Sequence, residues 1–453
     1  MQLFKRSISA RNLTAVTFEI LLLAGSLVIA SSLTEPAADG LAWRVLLATG
    51  LFLVCLYYND FYDLTIVHSS RETVVRLFKA GGAASIILAF IYLLAPDAAV
   101  RDGAFFPSLG FFLAGTLTWR LLFNVVSRTP RLVENLLIVG TGSAAIAVAR
   151  HIQEQHDFAY RILGFIDDNP LTAMPMGWRV IGRSSDISTL VDRHDIDRIV
   201  VAVADRRGRL PVDELLHAKL SGVRVEEATA TYERLTGKVL LEELKPSWLI
   251  FSDGFRVSRA RRFLKRLVDI SISLVGLVLA AIPMALTALA VWLESGEPVL
   301  YRQERVGQHG RVFSLFKFRS MRVDAEGAVP IWAREGDDRV TRVGRFIRIT
   351  RLDELPQFWN VLRGDMSFVG PRPERPYFVE LLTKEIPFYH QRHAVKPGVT
   401  GWAQVKYRYG SSVEDAMEKL RYDLYYIKHL SPSFDLSIVF DTVKVILFGK
   451  GAQ

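Results

Sequence analysis

Residues 267–293, LVDISISLVGLVLAAIPMALTALAVWL, form a 27-residue apolar run that holds one charged residue, Asp269. A helix needs about 20 residues to cross the roughly 30 Å hydrocarbon core of a bilayer, so this run is long enough to span a membrane. Pro283 lies inside it, and proline removes a backbone donor and kinks a helix. Four basic residues come just before the run, namely Arg261, Arg262, Lys265 and Arg266. We expect a kinked membrane helix here, which either crosses the bilayer or returns to the side from which it entered.

Further apolar runs occur before residue 130. They lie at roughly residues 14–33, 41–58, 81–95 and 105–126. The first, second and fourth are long enough to span, and the third is short unless it begins near Leu77. Basic residues concentrate on one side of these runs, which places both ends of the bundle in the cytoplasm. The basic residues are Lys5, Arg6, Arg11, Arg71, Arg76, Lys79, Arg128 and Arg131. The sequence therefore predicts a four-helix transmembrane bundle over residues 1–130.

The composition limits the class of protein and its partners. Half of the 453 residues are hydrophobic, and the formal net charge is +9. In a membrane protein this excess of Lys and Arg predicts cytoplasmic loops and contact with anionic membrane lipids. Nucleic acid is the other common partner of basic proteins, but the chain has no recognition motif, so we expect no nucleic acid. The single cysteine, Cys55, excludes a disulfide framework within one chain.

A second pattern lies in the middle of the chain. Residues 135–139, NLLIV, are typical of a buried strand, and Gly140, Gly142 and a helical run follow. This order of strand, glycine turn and helix is the context of a dinucleotide-binding motif. A second strand at residues 161–166 ends at Asp167, near the spacing at which an acidic residue holds a ribose hydroxyl. The pattern predicts a Rossmann-like, nucleotide-binding-like α/β domain.

Whether this domain, placed over residues 131–258, binds a nucleotide stays open. Gly140 and Gly142 would also shape a tight turn and allow close packing of helix on strand without any ligand. A membrane-tethered sugar-nucleotide dehydratase or epimerase is a rival interpretation, because such enzymes also carry a Rossmann domain. They need Tyr-x-x-x-Lys, in which the lysine prepares the tyrosine for proton transfer. None of the 14 tyrosines is followed by lysine at that spacing, which argues against the rival.

The residues most informative about chemistry are the adjacent carboxylates Asp353 and Glu354, within residues 351–357, RLDELPQ. Most such pairs are solvated residues at a helix start, but this pair lies among arginines and near the membrane run. This setting suggests phosphate chemistry at a bilayer surface. Phosphoryl transfer requires charge neutralisation, which a carboxylate-held Mg²⁺ (or Mn²⁺) and basic side chains provide. One carboxylate can attack phosphorus while its neighbour holds the metal ion, since adjacent helical residues point about 100° apart. The candidate phosphate-binding side chains are Lys317, Arg319, Arg348 and Arg372.

Seven ordered blocks carry a resemblance to a known family. They are residues 265–269 (KRLVD), 302–307 (RQERVG), 316–321 (FKFRSM), 352–357 (LDELPQ), 368–373 (FVGPRP), 396–401 (KPGVTG) and 422–426 (YDLYY). From about residue 261 onwards the chain resembles the bacterial sugar transferases. These are polyprenyl-phosphate hexose-1-phosphate transferases, or monotopic phosphoglycosyl transferases, of exopolysaccharide biosynthesis. The first half is similar, more weakly, to the large members of the family, in which a membrane bundle and a nucleotide-binding-like domain precede the catalytic part.

The resemblance implies a role for each carboxylate of the pair. Asp353 would be the nucleophile, and Glu354 would be the metal ligand. Asp423 matches an acidic position of the family that is expected to assist metal or nucleotide binding, although a place on a helix surface is the alternative. The resemblance also implies a catalytic domain over residues 259–453, with a re-entrant membrane helix at about residues 265–293.

The activity implied by the resemblance is transfer of a hexose-1-phosphate from a UDP-sugar to undecaprenyl phosphate with release of UMP. This step would initiate repeat units of an exopolysaccharide, a capsule or an O-antigen. The implied location is the bacterial inner membrane, with the catalytic domain facing the cytoplasm, and we expect a homodimer. The alternative is a non-enzymatic scaffold or nucleotide sensor of a polysaccharide assembly complex, and the intact pair of Asp353 and Glu354 argues against it.

Overall fold

The computed structural model describes the chain in two compact units, residues 7–231 and the residues from Tyr232 onwards. The described residues are 10–34, 41–59, 61–62, 70–99, 105–127, 133–154, 160–169, 174–203, 210–244, 255, 258–323, 337–407, 410 and 412–447. The border predicted between the bundle and the middle domain, at residues 130 and 131, lies outside the described residues. Each unit is described by itself below.

The first unit begins with four apolar helices, α1 (Ala10–Thr34), α2 (Leu41–Tyr58), α3 (Ser70–Leu94) and α4 (Phe105–Ser127). Helix α3 begins at Ser70, eleven positions before the third apolar run, which removes the doubt about its length. Large apolar side chains such as Leu46, Ile86 and Leu93 are more than 70% exposed, as expected of a surface that faces lipid. Within the described residues, α2, the part Thr73–Leu94 of α3 and one later helix are long and apolar enough to cross a membrane.

A buried ion pair ties α1 to α4. The Nε atom of Arg120 lies 2.7 Å from Oε1 of Glu19, and both side chains are almost fully buried. The guanidinium of Arg120 also lies 4.5 Å from the centre of the Phe61 ring. Ionisable residues inside a membrane bundle pair with one another because an isolated charge there is costly. The pair therefore fixes which faces of α1 and α4 meet.

The same unit contains a five-stranded parallel sheet in the order β3–β2–β1–β4–β5. The strands are β1 (Glu134–Val139), β2 (Tyr160–Ile166), β3 (Val180–Gly182), β4 (Arg198–Val201) and β5 (Arg224–Glu227). The helices of this part are α5 (Ser143–Glu154), α6 (Ile187–Arg193) and α7 (Val212–Leu220), and α8 (Ala228–Thr236) continues into the second unit. Residues 136–139 of the central strand are fully buried, as parallel sheets covered by helices require. The predicted parallel α/β organisation is confirmed.

The second unit is built around a 37-residue helix, α9 (Arg259–Ser295), with Ser258 as its N-cap. An antiparallel hairpin of β6 (Leu300–Val306) and β7 (Val312–Phe318) follows. The later elements are α10 (Arg342–Ile349), α11 (Gln357–Arg363), β8 (Ser367–Val369), α12 (Pro376–Glu385), β9 (Gly398–Thr400), α13 (Trp402–Lys406), α14 (Val413–Lys428) and α15 (Pro432–Leu447). Strands β8 and β9 pair in parallel.

Both halves of α9 pack on the second unit. In its first half, a Cβ atom at Gly276 would stand 2.7 Å from the Phe358 ring, so only glycine allows α9 to approach α11 this closely. In its second half, Val291 joins a core cluster with Phe318 and Ile347. The opposite face stays apolar and exposed through Leu274, Val278, Leu279, Ile282, Leu286 and Leu293. The helix therefore has one face on the protein and one free apolar face along most of its length.

Residues 232–244 already belong to the second unit, ahead of the border that the sequence suggests near residue 258. The indole Nε1 of Trp402 donates to the carbonyl of Gly237 at 2.7 Å. Lys428 Nζ lies 2.8 Å from Oε2 of Glu233, and both side chains are at most 10% exposed. These two contacts join residues that are 165 and 195 positions apart in the chain, so no local pattern in the sequence indicates them.

Removal of residues 232–257 is therefore expected to destabilise the second unit. A chain that starts at Ser258 lacks both contacts, which a chain that starts at Tyr232 keeps, whereas full-length Glu233→Gln leaves Lys428 buried without its anion, a loss of about 3 kcal/mol or more. The check is the thermal melting of both chains in the same detergent, with full-length Glu233→Gln as the matched variant for the ion pair. Equal melting temperatures of the two truncated chains would show that residues 232–257 contribute nothing to this unit.

Candidate active site

The carboxylates of Asp353 and Glu354 lie in a short 3₁₀ turn, Leu352–Glu354, between α10 and α11. Arg351, just before the turn, has φ of 59°, in the left-handed region that few residues other than glycine adopt. Pro356 follows, and α11 begins at the next residue. This constrained connection leaves Asp353 only 7% exposed.

Glu354 is the centre of a cluster of basic side chains. Its Oε1 accepts hydrogen bonds from Nη2 of Arg372 at 2.8 Å and from Nζ of Lys317 at 3.0 Å. Arg351 Nη1 lies 3.9 Å from the same oxygen. Burial opposes ionisation, but the charges of Arg372, Lys317 and Arg351 outweigh it and hold the pKa of Glu354 well below its usual range. Glu354 is therefore a stable anion at neutral pH.

Asp353 differs from its neighbour in both contacts and ionisation. Its Oδ1 atom is buried and has no hydrogen-bond partner among the described residues. Burial raises the pKa of Asp353 above its usual value, the charge of Lys317 opposes this rise, and the charge of Glu354 adds to it. A weakly solvated carboxylate with a free oxygen is a stronger nucleophile than one that is bound by several donors. Two adjacent carboxylates with pKa values pushed apart suit two different chemical roles.

Three distant segments supply this cluster, and one buried amide aligns two of them. Lys317 comes from β7, the carboxylates precede α11, and Arg372 follows β8. Oδ1 of Asn360, in α11, accepts from the backbone N–H of Phe316 at 3.0 Å, and its Nδ2 donates to the carbonyl of Ser314 at 2.7 Å. These two bonds hold β7, and with it Lys317, beside α11. Asn360 is fully buried, and nothing in the sequence pattern had indicated this function.

Two of the predicted phosphate-binding arginines have other contacts. Nη2 of Arg319 donates to the carbonyls of Ser295 and Gly296, both at 2.7 Å, so this side chain caps the C-terminal end of α9. Nε of Arg348 donates to Oγ of Ser320 at 2.9 Å, and its charge opposes the rise in the pKa of Asp353 that burial causes. Arg348 therefore acts on the pair through its charge, whereas Arg319 attaches the membrane helix to β7.

Asp423 is buried in an ion pair rather than placed on a helix surface. Its Oδ2 accepts from Nη2 of Arg392 at 2.8 Å and from Nε of the same residue at 3.1 Å. Asp423 is 2% exposed and Arg392 is 5% exposed. Burial raises the pKa of Asp423, and the charge of Arg392 opposes this rise. The structure thus gives Asp423 a partner that no sequence motif had identified.

In the middle of the chain, the residues predicted to bind a nucleotide have structural contacts. Gly140 has φ of 102°, and a Cβ atom there would stand 2.9 Å from the carbonyl oxygen of Ala202, so glycine is required. Gly142 has more space, since the same oxygen would be 3.7 Å away. Oδ2 of Asp167 accepts from the Thr141 hydroxyl at 2.5 Å, which closes the glycine turn. Nucleotide binding by this domain stays a prediction.

The carboxylate pair fits a magnesium or manganese ion that is shared with a substrate. Among the described residues, no group of three or more His, Cys, Asp and Glu side chains converges as a complete metal cage. Mg²⁺ commonly uses only one or two carboxylates and takes its other ligands from phosphates and water. Glu354 is ionised, and the buried Oδ1 of Asp353 has no protein donor, so oxygen ligands of the right kind are present.

Two protein-family models match this chain, and one of them covers the candidate active site. The model of the bacterial sugar transferase family matches residues 260–449, and the model of a CoA-binding domain matches residues 58–210. The first match contains the carboxylate pair, Lys317, Arg372 and Asp423. The second match contains the parallel strands β1 to β4 and overlaps α3 and α4 of the bundle.

Several curated proteins are similar over larger parts of the chain. A UDP-N-acetylgalactosamine-undecaprenyl-phosphate N-acetylgalactosaminephosphotransferase of Aeromonas hydrophila is 40% identical over 301 residues, which are 65% of this chain and 68% of that protein. An undecaprenyl-phosphate glucose phosphotransferase of Komagataeibacter xylinus is 33% identical over 340 residues, 73% of this chain and 62% of that protein. A UDP-glucose:undecaprenyl-phosphate glucose-1-phosphate transferase of Escherichia coli is 46% identical over 189 residues, 41% of each. With these relatives and this site, the chain belongs to the bacterial sugar transferase family and is an enzyme of the transferase class.

Proposed function

We propose that this protein transfers a hexose-1-phosphate from a UDP-sugar to undecaprenyl phosphate and releases UMP. The observation that carries the proposal is the difference between the environments of the carboxylates of Asp353 and Glu354. Arg372 and Lys317 neutralise Glu354, while Asp353 keeps a buried oxygen without a donor. The names of the similar proteins, which specify undecaprenyl-phosphate sugar phosphotransferases, support the choice of substrates. The product would initiate the repeat unit of an exopolysaccharide, a capsule or an O-antigen.

In the proposed first step, an oxygen of Asp353 attacks the sugar-linked phosphorus. The bond between this phosphorus and the bridging oxygen of UMP breaks, UMP leaves, and a phosphosugar is bound to Asp353 as an acyl phosphate. In the second step, an oxygen of undecaprenyl phosphate attacks the same phosphorus and frees the Asp353 carboxylate. Arg372 and Lys317 orient the phosphate oxygens and balance their charge. A divalent cation held by Glu354 would supply further neutralisation of the diphosphate.

We also propose that α9 enters the membrane and returns to the cytoplasmic side. Near its start, the Asp269 carboxylate accepts from the Ser367 hydroxyl and the Phe368 N–H, at distances of 2.9–3.0 Å. Near its end, Glu294 accepts from the N–H groups of Arg342 and Val343. One folded unit therefore holds both ends of the helix. Since a polar folded unit stays on one side of a bilayer, this supports re-entry near Pro283 rather than a full crossing.

This geometry supports a bacterial inner-membrane location with the active site at the cytoplasmic surface. The basic residues before α9 and between the helices of the bundle agree with the cytoplasmic side. UDP-sugars are cytoplasmic, so this side also provides the donor. The homodimer and a nucleotide in the middle domain stay predictions, since the contacts within either unit do not require them.

The experiment that tests the proposed function measures UMP release by the purified protein from a panel of UDP-sugars, with undecaprenyl phosphate and Mg²⁺. One sugar is expected to be preferred, and labelled UMP is expected to exchange into that UDP-sugar without lipid phosphate, because the first step is complete by itself. Release that always requires the lipid, with no exchange, would argue for direct transfer. Absence of release from every UDP-sugar would contradict the proposed reaction.

The acid side of the pH–rate profile is expected to move when Lys317 is replaced. Asp353 must be ionised to attack, so the rate falls as the pH falls through its pKa. The charge of Lys317 lowers this pKa, so Lys317→Met should raise it and shift the loss of activity to higher pH. The control is Lys384→Met, at an exposed lysine that pairs with Glu380 at 2.9 Å on the surface. If wild type and Lys317→Met lose activity over the same acidic pH range, Asp353 is not the group whose ionisation limits the rate.

A further inference from the structure

The loop that carries Arg372 has an unusual set of backbone contacts. It runs over residues 371–374, with proline on both sides of Arg372, and prolines have no N–H to hold a turn together. All four carbonyls of the loop accept hydrogen bonds from outside it. The donors are Gly398 N–H to Pro371 at 2.9 Å, Arg392 Nη2 to Arg372 at 3.0 Å, Arg305 Nη1 to Pro373 at 2.9 Å and Val306 N–H to Glu374 at 2.9 Å. The shape of the loop therefore depends on its neighbours.

Arg392 contacts the loop and is itself rigidly held. Its Nη1 donates to the Tyr389 hydroxyl at 2.8 Å, and its Nε and Nη2 donate to Asp423. The same Nη2 reaches the carbonyl of Arg372. A guanidinium that is almost completely buried and bound at all three nitrogens has little freedom to move. The position of the Arg372 backbone is thereby tied to α14, which carries Asp423.

Arg305, which is part of β6, also contacts the loop. Its Nη1 donates to the carbonyl of Pro373, and its Nη2 donates to Oε1 of Gln303 at 2.5 Å. Nη1 also lies 3.5 Å from Oε2 of Glu374. Strand β6 pairs with β7, which carries Lys317, so Arg305 ties the loop to the strand of the second cation of the site. The RQERVG block at residues 302–307 thus acquires a role that the sequence had left undefined.

We propose that Arg305 and Arg392 are positioning residues that hold two successive carbonyls of the Arg372 loop and set the guanidinium of Arg372 against Glu354. Among the described contacts, neither Arg305 nor Arg392 touches Asp353 or Glu354. They act through Arg372, and the proposal rests on the proposed function of the site. A consequence is that Asp423 contributes to the reaction through Arg392, by fixing the direction of its guanidinium.

The test is a double-mutant cycle on the full-length protein, with Arg305→Lys and Arg392→Lys in the wild-type and Arg372→Ala backgrounds. Lysine keeps the charge but lacks the planar fork that reaches a carbonyl and a second acceptor together. In the wild-type background each change should lower the rate of UMP exchange by roughly 10- to 100-fold, since small misplacements of an orienting side chain have effects of this size. In the Arg372→Ala background the further loss should be no more than about two- to three-fold.

The matched control is Arg421→Lys, because Arg421 and Arg305 have side chains that are both 17% exposed. Arg421 donates to Glu418 and Glu242, away from the loop. Arg421→Lys should change the rate of UMP exchange by the same small factor in the wild-type and Arg372→Ala backgrounds. If the rate loss of the double variant equals the product of the losses from Arg305→Lys and Arg372→Ala, the two residues act independently and the positioning proposal is wrong. Activity of the wild type in the same assay would show that the proposed reaction still holds.

Melting temperatures separate positioning from general stability. If Arg392→Lys unfolds the protein because a buried pair is broken, Arg305→Lys still decides the question, since its side chain is partly solvated. Folded variants should keep the rate loss at temperatures far below melting. A rate loss that disappears when the variants are assayed at equal distance below their melting temperatures would show a structural role only.

Discussion

Asp353→Asn is expected to abolish both UMP release and UMP exchange, with a loss of at least about ten-thousand-fold, as found when a catalytic nucleophile is removed. Asparagine has the same shape but no anionic oxygen to attack phosphorus, so no phosphosugar can form on residue 353. Binding of the UDP-sugar should persist, because Glu354, Lys317 and Arg372 keep their mutual contacts. The measurements are UMP exchange without lipid phosphate and equilibrium binding of the preferred UDP-sugar.

The same substitution should make the protein more stable at neutral pH. Burial raises the pKa of Asp353, so the folded state favours the protonated form and ionisation lowers stability above this pKa. Asparagine removes that charge, and the melting temperature should therefore rise relative to wild type at pH 7 and approach it as the pH falls and Asp353 protonates. A variant that lost stability and kept exchange would contradict the assignment of the nucleophile.

Glu354→Gln is expected to have the second-largest effect, a loss of activity of roughly 100- to 1,000-fold. Glutamine cannot balance the two cations that contact Oε1, so Arg372 and Lys317 would lose the anion that holds them in place. It would also be a poor ligand for a divalent cation. The measurements are the rate of UMP release over a range of Mg²⁺ concentrations and the melting temperature of the variant.

Stability should change in the opposite direction from that of the neighbouring residue. The pKa of Glu354 is lowered in the folded state, so its charge contributes stability above the unfolded pKa, about 4.3, and this contribution is lost as the pH falls through the folded pKa. Glu354→Gln should therefore melt below wild type at pH 7, and the difference should shrink in acid. If Glu354→Gln and Asp353→Asn shifted melting in the same direction, the two carboxylates would not have the distinct environments described above.

Much of the fold could be predicted because its signals are local. Apolar runs of sufficient length predicted membrane helices, and the strand, glycine turn and helix at residues 135–155 predicted a parallel α/β sheet. The first residue of α3 was misplaced, since Ser70–Leu94 starts in a stretch that contains Arg71, Arg76 and Lys79. Charged residues at the end of a membrane helix interrupt the apolar pattern without ending the helix.

The amino-acid sequence by itself determined the class of the protein and the adjacent carboxylates, because the order of short motifs and the hydropathy of whole segments can be seen without knowing any long-range contact. Only the tertiary structure decided which basic residues serve the carboxylates. Lys317 and Arg372 meet Glu354, whereas Arg319 caps α9 and Asp423 is bound by Arg392. In the sequence each of these charged residues lies beside apolar ones, so the local pattern does not indicate which partner each will bind. Which charges pair depends on hydrogen bonds between residues that are 18 to 37 positions apart in the chain, and only packing brings them together.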